Sequence, residues 1–153
     1  MIKQLILVLA ISLSTTTPPV QASEAPSFDE ADLLEFHESK GGGVHIDSDF
    51  CTENEGFFGM QKGFDVHICF DAHKDDAGEL LDTVRHEMWH VVQMCNGGPL
   101  HTDKAKSLRL AKATGWTGEG YSEDVWHLEA EAHLAASLLS AEDIRVALTN
   151  HCI

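Results

Sequence analysis

Two histidines lie four residues apart in the segment TVRHEMWHVVQ, and a glutamate directly follows the first. These are His86, Glu87 and His90. A helix turns every 3.6 residues, so positions i and i+4 share one face. Both imidazoles can then reach one Zn²⁺ at about 2.0–2.1 Å. Glu87 falls beside them, placed to hold a water at the metal and take its proton. The chemistry this implies is hydrolysis by a zinc-activated water.

A catalytic zinc usually has three protein ligands and one open position. The pattern HExxHxxGxxH takes its third ligand from a turn just after the helix. Gln93 and Asn96 stand at its glycine and last histidine positions, so that pattern does not apply here. The segment WHLEAEAHLAASLL is the better source. Glu129 and His133 are four apart and share a face, whereas Glu131 points away by about 200° at 100° per residue. Ala132 and Ala136 lie near that face and let the segment approach the first helix closely. Glu131, His101 and Asp103 compete for the third place. The commonest role of a glutamate at such a position is a solvated helix-face acid. Hydrolysis of an amide also needs a donor for the oxyanion that forms. Tyr121, the only tyrosine, is a candidate together with His127 and His133. His133 can instead orient a ligand.

HEMWH followed by a glutamate on a later helix resembles the gluzincin branch of the zincin metallopeptidases. EAEAHLAASLL looks like the ExxANxFAxxLL helix of small ImmA/IrrE-type domains. The resemblance covers these two helices and implies zinc held by His86, His90 and Glu129. His133 stands where that family has asparagine, and Ala135 where it has phenylalanine. The strand FDVHICF resembles the edge strand along which zincins lay substrate.

Several elements must position these residues. DDAGELLDTVRHEMWHVVQMCNGG predicts the central helix, with Asp76 and Glu79 as a capping box and Gly97, Gly98 and Pro99 as its stop. Leu80, Leu81, Val84, Val91 and Val92 supply its buried side. Ser27 with Glu30 caps an earlier helix that Gly41 to Gly43 ends. VHIDSDF and FDVHICF alternate as strands do, and TENEGFFGMQKG between them reads as a loop. TDKAKSLRLAKAT is a shorter helix, and GWTGEGY is a loop. Ser122 caps the Glu129 helix, and Ser140 with Asp143 caps the last one. Trp89 and Trp126 belong between helices. His37, His45, His67, His73 and His151 read as surface or satisfied histidines. The expected fold is α+β, mostly helical, with a small antiparallel sheet packed on the HExxH helix.

Residues 1–22 read as a signal peptide: Lys3, then the apolar run LILVLAISL, then Val20 and Ala22 at the cleavage positions. Residues 23–153 then form one domain, secreted or periplasmic. The formal net charge is -15. Such a surface repels phosphate backbones and anionic lipid, so nucleic acid and membrane are not expected partners, and a peptide or protein substrate is. Four cysteines in an oxidising compartment suggest two disulfides, Cys51–Cys69 and Cys95–Cys152. The alternative function is an exported zinc-binding protein, or a catalytically inactive zincin-derived binding module. Glu87 favours the enzyme, because a pure binding site needs no base there.

Overall fold

The helix bearing His86 and His90 is the element around which the others pack. The computed structural model describes residues 29–74 and 76–153. The expected signal peptide and the expected Ser27 cap lie outside the described residues. In chain order the elements are α1 (Glu30–Ser39), β1 (Gly43–Ile46), α2 (Asp49–Glu53), β2 (Gly59–Lys62), β3 (Asp65–Ile68), α3 (Phe70–His73), α4 (Ala77–Asn96), α5 (Lys104–Ala113), α6 (Trp126–Leu138) and α7 (Ala141–Cys152). This is the α+β, mostly helical class.

Local chemistry sets the ends of α4. The Asp76 carboxylate accepts the Glu79 backbone N–H at 2.9 Å. The reciprocal half of the expected box is replaced by a contact of 3.5 Å between Glu79 and His73 Nδ1. Gly97 takes φ 77°, and the Gly98 N–H returns to the Gln93 carbonyl at 2.8 Å. A left-handed residue there suits glycine because it has no Cβ to clash. Val84, Met88, Val91 and Val92 are buried. Leu81 is 40% exposed, since periodicity marks a face but not the length over which a neighbour covers it.

The sheet has the order β1-β3-β2. β3 pairs antiparallel with β2 and parallel with β1, so the sheet is mixed rather than antiparallel throughout. FDVHICF therefore supplies the central strand and not an edge. The edge against α4 is β2, the GMQK stretch read above as loop. It carries no apolar alternation, and an edge strand needs pairing on one side only. VHIDSDF ends as a strand at Ile46 and becomes α2 at Asp49. Val66 and Ile68 point into the core beside Leu33, Met88, Ile144 and Leu148.

α1 starts at a capping box of Asp29 with Asp32. α7 starts at the expected box of Ser140 with Asp143. α6 begins later than its sequence suggests. Ser122 hydrogen bonds the Asp124 carboxyl and lowers it, and Ser122 to Val125 form a turn instead of a cap.

Both disulfides are Cys51–Cys69 and Cys95–Cys152. The second joins the end of α4 to the end of α7 across 57 residues, the first spans 18. Closing a loop removes entropy from the unfolded chain, more for a longer loop. Converting Cys95 and Cys152 to serine should therefore cost about 2–5 kcal/mol, roughly 1 kcal/mol more than removing Cys51–Cys69. Denaturant midpoints of the two double variants check this. A smaller loss for the longer loop would count against the loop-entropy account. The bonds fit an extracellular or periplasmic protein. Among the described residues, no helix is long and apolar enough to cross a membrane.

Candidate metal centre

α4 and α6 lie along one another, and the alanines of α6 let them approach closely. Ala132, Ala135 and Ala136 are buried at this contact. The approach brings Glu129 to the two histidines of α4. His86 Nε2 and His90 Nε2 are 3.1 Å apart. Glu129 Oε2 is 3.3 Å from the first and 3.4 Å from the second. The three side chains are largely buried, at 19%, 14% and 15% exposure. This group can hold a metal ion.

Glu129 Oε2 is buried without a well-directed hydrogen bond. A buried acceptor in that state is costly and calls for a partner. Burial alone would raise the Glu129 carboxyl, but contact with both imidazoles outweighs it and brings the group down to about 2. The balance for His90 has the same form. Burial lowers it, and Glu129 more than reverses that, so the net direction is upward.

No family model, no curated protein and no solved structure matches the chain.

Glu87 is 7% exposed. Its carboxyl is raised, first by burial and further by the Glu129 charge, against the lowering effect of the two histidines and a backbone hydrogen bond from Gln61. Gln61 and Gly59 are on β2, so the edge strand runs beside Glu87. Gly59 makes that closeness possible. A Cβ there would sit 2.8 Å from Glu87 Cγ and 2.9 Å from Thr83 Cγ2.

The loop after α5 delivers Tyr121. Trp116 and Trp126 meet edge to face at 6.1 Å, and the Trp126 indole donates to the Tyr121 carbonyl at 3.0 Å. Gly118, with φ 75°, lies against both rings: a Cβ there would sit 3.2 Å from an atom of each. The Tyr121 phenol is pushed up to about 12 by burial, then by the charges of Glu129 and Glu87, with a hydrogen bond to Glu129 acting in the same sense. His133 lies within the field of His86, but its ring bonds Thr114 Oγ1 at 3.0 Å. Burial lowers His133 most, and the neighbouring His86 lowers it further. His127 Nε2 is buried without a partner.

His86, Glu87, Tyr121 and His133 line a cleft of about 410 Å³ together with Phe58 and Gly59. A second cavity of about 420 Å³, lined by Trp89, Leu100, Leu134 and Leu138, contains none of the three ligand residues.

The rivals for the third ligand are elsewhere. Asp103 caps α5 through the Lys106 N–H, and His101 is exposed. Glu131 is engaged away from the two Nε2 atoms, by Trp89, Gln93, Leu100 and His101. Sequence reasoning noted Gln93 only as a mismatch to another pattern. In the structure it accepts from His90 Nδ1 at 2.7 Å. The i,i+3 spacing on one helix face was the signal available for it. Among the other histidines, His37 bonds the Phe64 carbonyl at 2.9 Å, whereas both ring nitrogens of buried His73 lack a hydrogen bond.

Proposed function

We propose that this protein is an exported zinc-dependent hydrolase, a metallopeptidase of gluzincin type, with His86, His90 and Glu129 as ligands and Glu87 as general base. The observation that carries it is the spacing of the three ligand atoms. A tetrahedral zinc with bonds of about 2.0–2.1 Å needs ligand atoms roughly 3.3 Å apart. The observed separations are 3.1, 3.3 and 3.4 Å. Two imidazoles and one carboxylate are also a donor set that suits catalytic zinc.

Zinc, when bound, supplies a Lewis acid that polarises a carbonyl and makes water a nucleophile near neutral pH. The chain does the rest. Glu87, buried beside the ligands, accepts the proton of the attacking water and can pass it to the leaving amine. Tyr121, held at the cleft by its tryptophan-pinned loop, offers a phenol O–H to the developing oxyanion. His133 lines the same cleft as a further donor. The edge strand β2 borders the cleft at Gly59, where an extended peptide can add by main-chain hydrogen bonds. An edge strand beside the base supports a peptide substrate over a small ester.

The test is zinc content of the mature protein after reconstitution, with His86→Ala as control, and turnover of a mixed peptide library. One zinc per chain, absent from His86→Ala, is expected together with cleavage. Zinc at the level of the control would sink the metal reading. Tight zinc without any cleavage would favour the non-catalytic binding protein.

Gly59→Ala gives a prediction that does not touch a ligand. The added methyl would lie 3.0 Å from Glu87 Oε1 and closer still to Glu87 Cγ. Either β2 or the base must shift. Overpacking of this kind costs about 1–3 kcal/mol, and misplacing a reacting group by 1 Å can cost about 10²-fold in rate. Hydrolysis should fall on that scale while zinc stays bound. Unchanged kcat/KM would show that β2 yields freely.

A further inference from the structure

His90 presents Nε2 to the ligand group, and its other nitrogen faces Gln93. The Gln93 Oε1 lies 2.7 Å from His90 Nδ1. The Gln93 amide nitrogen donates to the Leu128 carbonyl at 3.0 Å and to Glu131 Oε2 at 2.8 Å. A carbonyl can only accept. Glu131 is 1% exposed, and its two oxygens also meet the backbone N–H groups of Leu100 at 3.0 Å and His101 at 2.7 Å, and the Trp89 indole at 3.4 Å. A carboxylate surrounded by donors acts only as an acceptor. Rotating the Gln93 amide by half a turn would put its oxygen against both acceptors. Two buried repulsive contacts would replace two hydrogen bonds. The orientation of the amide is thereby set, and His90 Nδ1 must be a donor.

We propose that Gln93 and Glu131 are positioning residues: Glu131 orients the Gln93 amide, and Gln93 holds His90 as the Nδ1–H tautomer with Nε2 free for a metal. The relay rests on the metal reading for its purpose but not for its geometry. It gives a buried acid with no place in the ligand set a defined task. Glu131 also ties three segments together: α4 through Gln93 and Trp89, the segment after α4 through Leu100 and His101, and α6, which carries it. The register of α6 on α4, which brings Glu129 to the histidines, and the tautomer of His90 are then set by one side chain. Outer partners of ligating histidines typically change metal affinity by about 10–100-fold when lost.

The experiment uses the mature chain with ¹⁵N-labelled histidine, metal-free at about pH 9, above the ordinary imidazole range. Ring couplings report which nitrogen of His90 carries the proton. Nδ1–H is expected, with His86 Nε2–H donating to the free His90 Nε2. Gln93→Met and Glu131→Gln should both lose this preference. In competition with a chromophoric chelator, both should bind zinc about 10–100-fold more weakly. Circular dichroism separates loss of fold from loss of orientation, and a folded Gln93→Met that keeps the Nδ1–H signal and wild-type zinc affinity overturns the relay. So does Nε2–H at His90 in the wild-type chain, a result that needs no variant. Wild type with Nδ1–H at His90 but no zinc binding would retain the relay and sink the metal reading instead.

Discussion

Replacing Glu87 by glutamine is expected to leave one zinc per chain while peptide hydrolysis falls by about 10²–10⁴-fold. The amide keeps the volume and hydrogen-bonding reach of the carboxylate but cannot accept a proton. Glu87 contributes no atom to the ligand group, which consists of His86, His90 and Glu129. Its surroundings suit a base. Burial and the nearby Glu129 charge raise the carboxyl, and the two histidines and the Gln61 backbone restrain the rise. A raised carboxyl is a stronger acceptor than a solvated one, and catalytic carboxyls work best when brought toward the operating pH. Zinc stoichiometry and library turnover, measured on the same preparation, decide the matter. Loss of zinc in Glu87→Gln would make Glu87 a ligand. Retention of both zinc and full turnover would move the base elsewhere.

How much of this was legible in the chain differs from element to element. α4 announced itself because its periodicity, its Asp76 cap and its Gly97 stop agree with one another. Agreement across levels of that kind is what makes an element readable. The alternation of FDVHICF marked a strand correctly, since Val66 and Ile68 are fully buried. Its place at the centre of the sheet was hidden, because strand order depends on partners and not on pattern. β2 escaped notice for a related reason. Its residues Gly59 to Lys62 show no apolar face, and their strand state comes from pairing with β3. Ser122 misled because a side chain that can cap a helix can equally bond its neighbour Asp124. Glu129 was favoured over Glu131 by helix phase and by the resemblance of its helix to the third-ligand helix of gluzincins, and phase is a local property that survives folding. The Gln93–Glu131 contact was out of reach, being a meeting of residues 38 apart. It required knowing how α6 sits on α4.

Glu129→Gln should behave unlike Glu87→Gln and remove zinc, stability and turnover together. The glutamine amide is a poor substitute for an anionic ligand toward a divalent cation. Any ligand that binds only the folded state stabilises it by RT ln(1 + [L]/Kd), about 2.7 kcal/mol at 100 times Kd. Wild-type thermal midpoint should therefore climb with added zinc, and the climb should be largely absent from Glu129→Gln. The metal-free comparison separates this from a packing effect. Glu129 Oε2 forms a triangle with the two imidazole nitrogens, 3.3 and 3.4 Å from them. Glutamine fills the same volume, so the metal-free variant should fold and lose only the attraction between the carboxylate and the imidazoles. Differential scanning calorimetry across a zinc titration, run on both chains, reads the two contributions apart. A variant whose midpoint rises with zinc as steeply as wild type would show that Glu129 is a helix-face acid that happens to face the histidines. The third ligand would then have to come from another group at the cleft, since Asp103 caps α5 and both Glu131 oxygens are engaged by Gln93, Leu100 and His101.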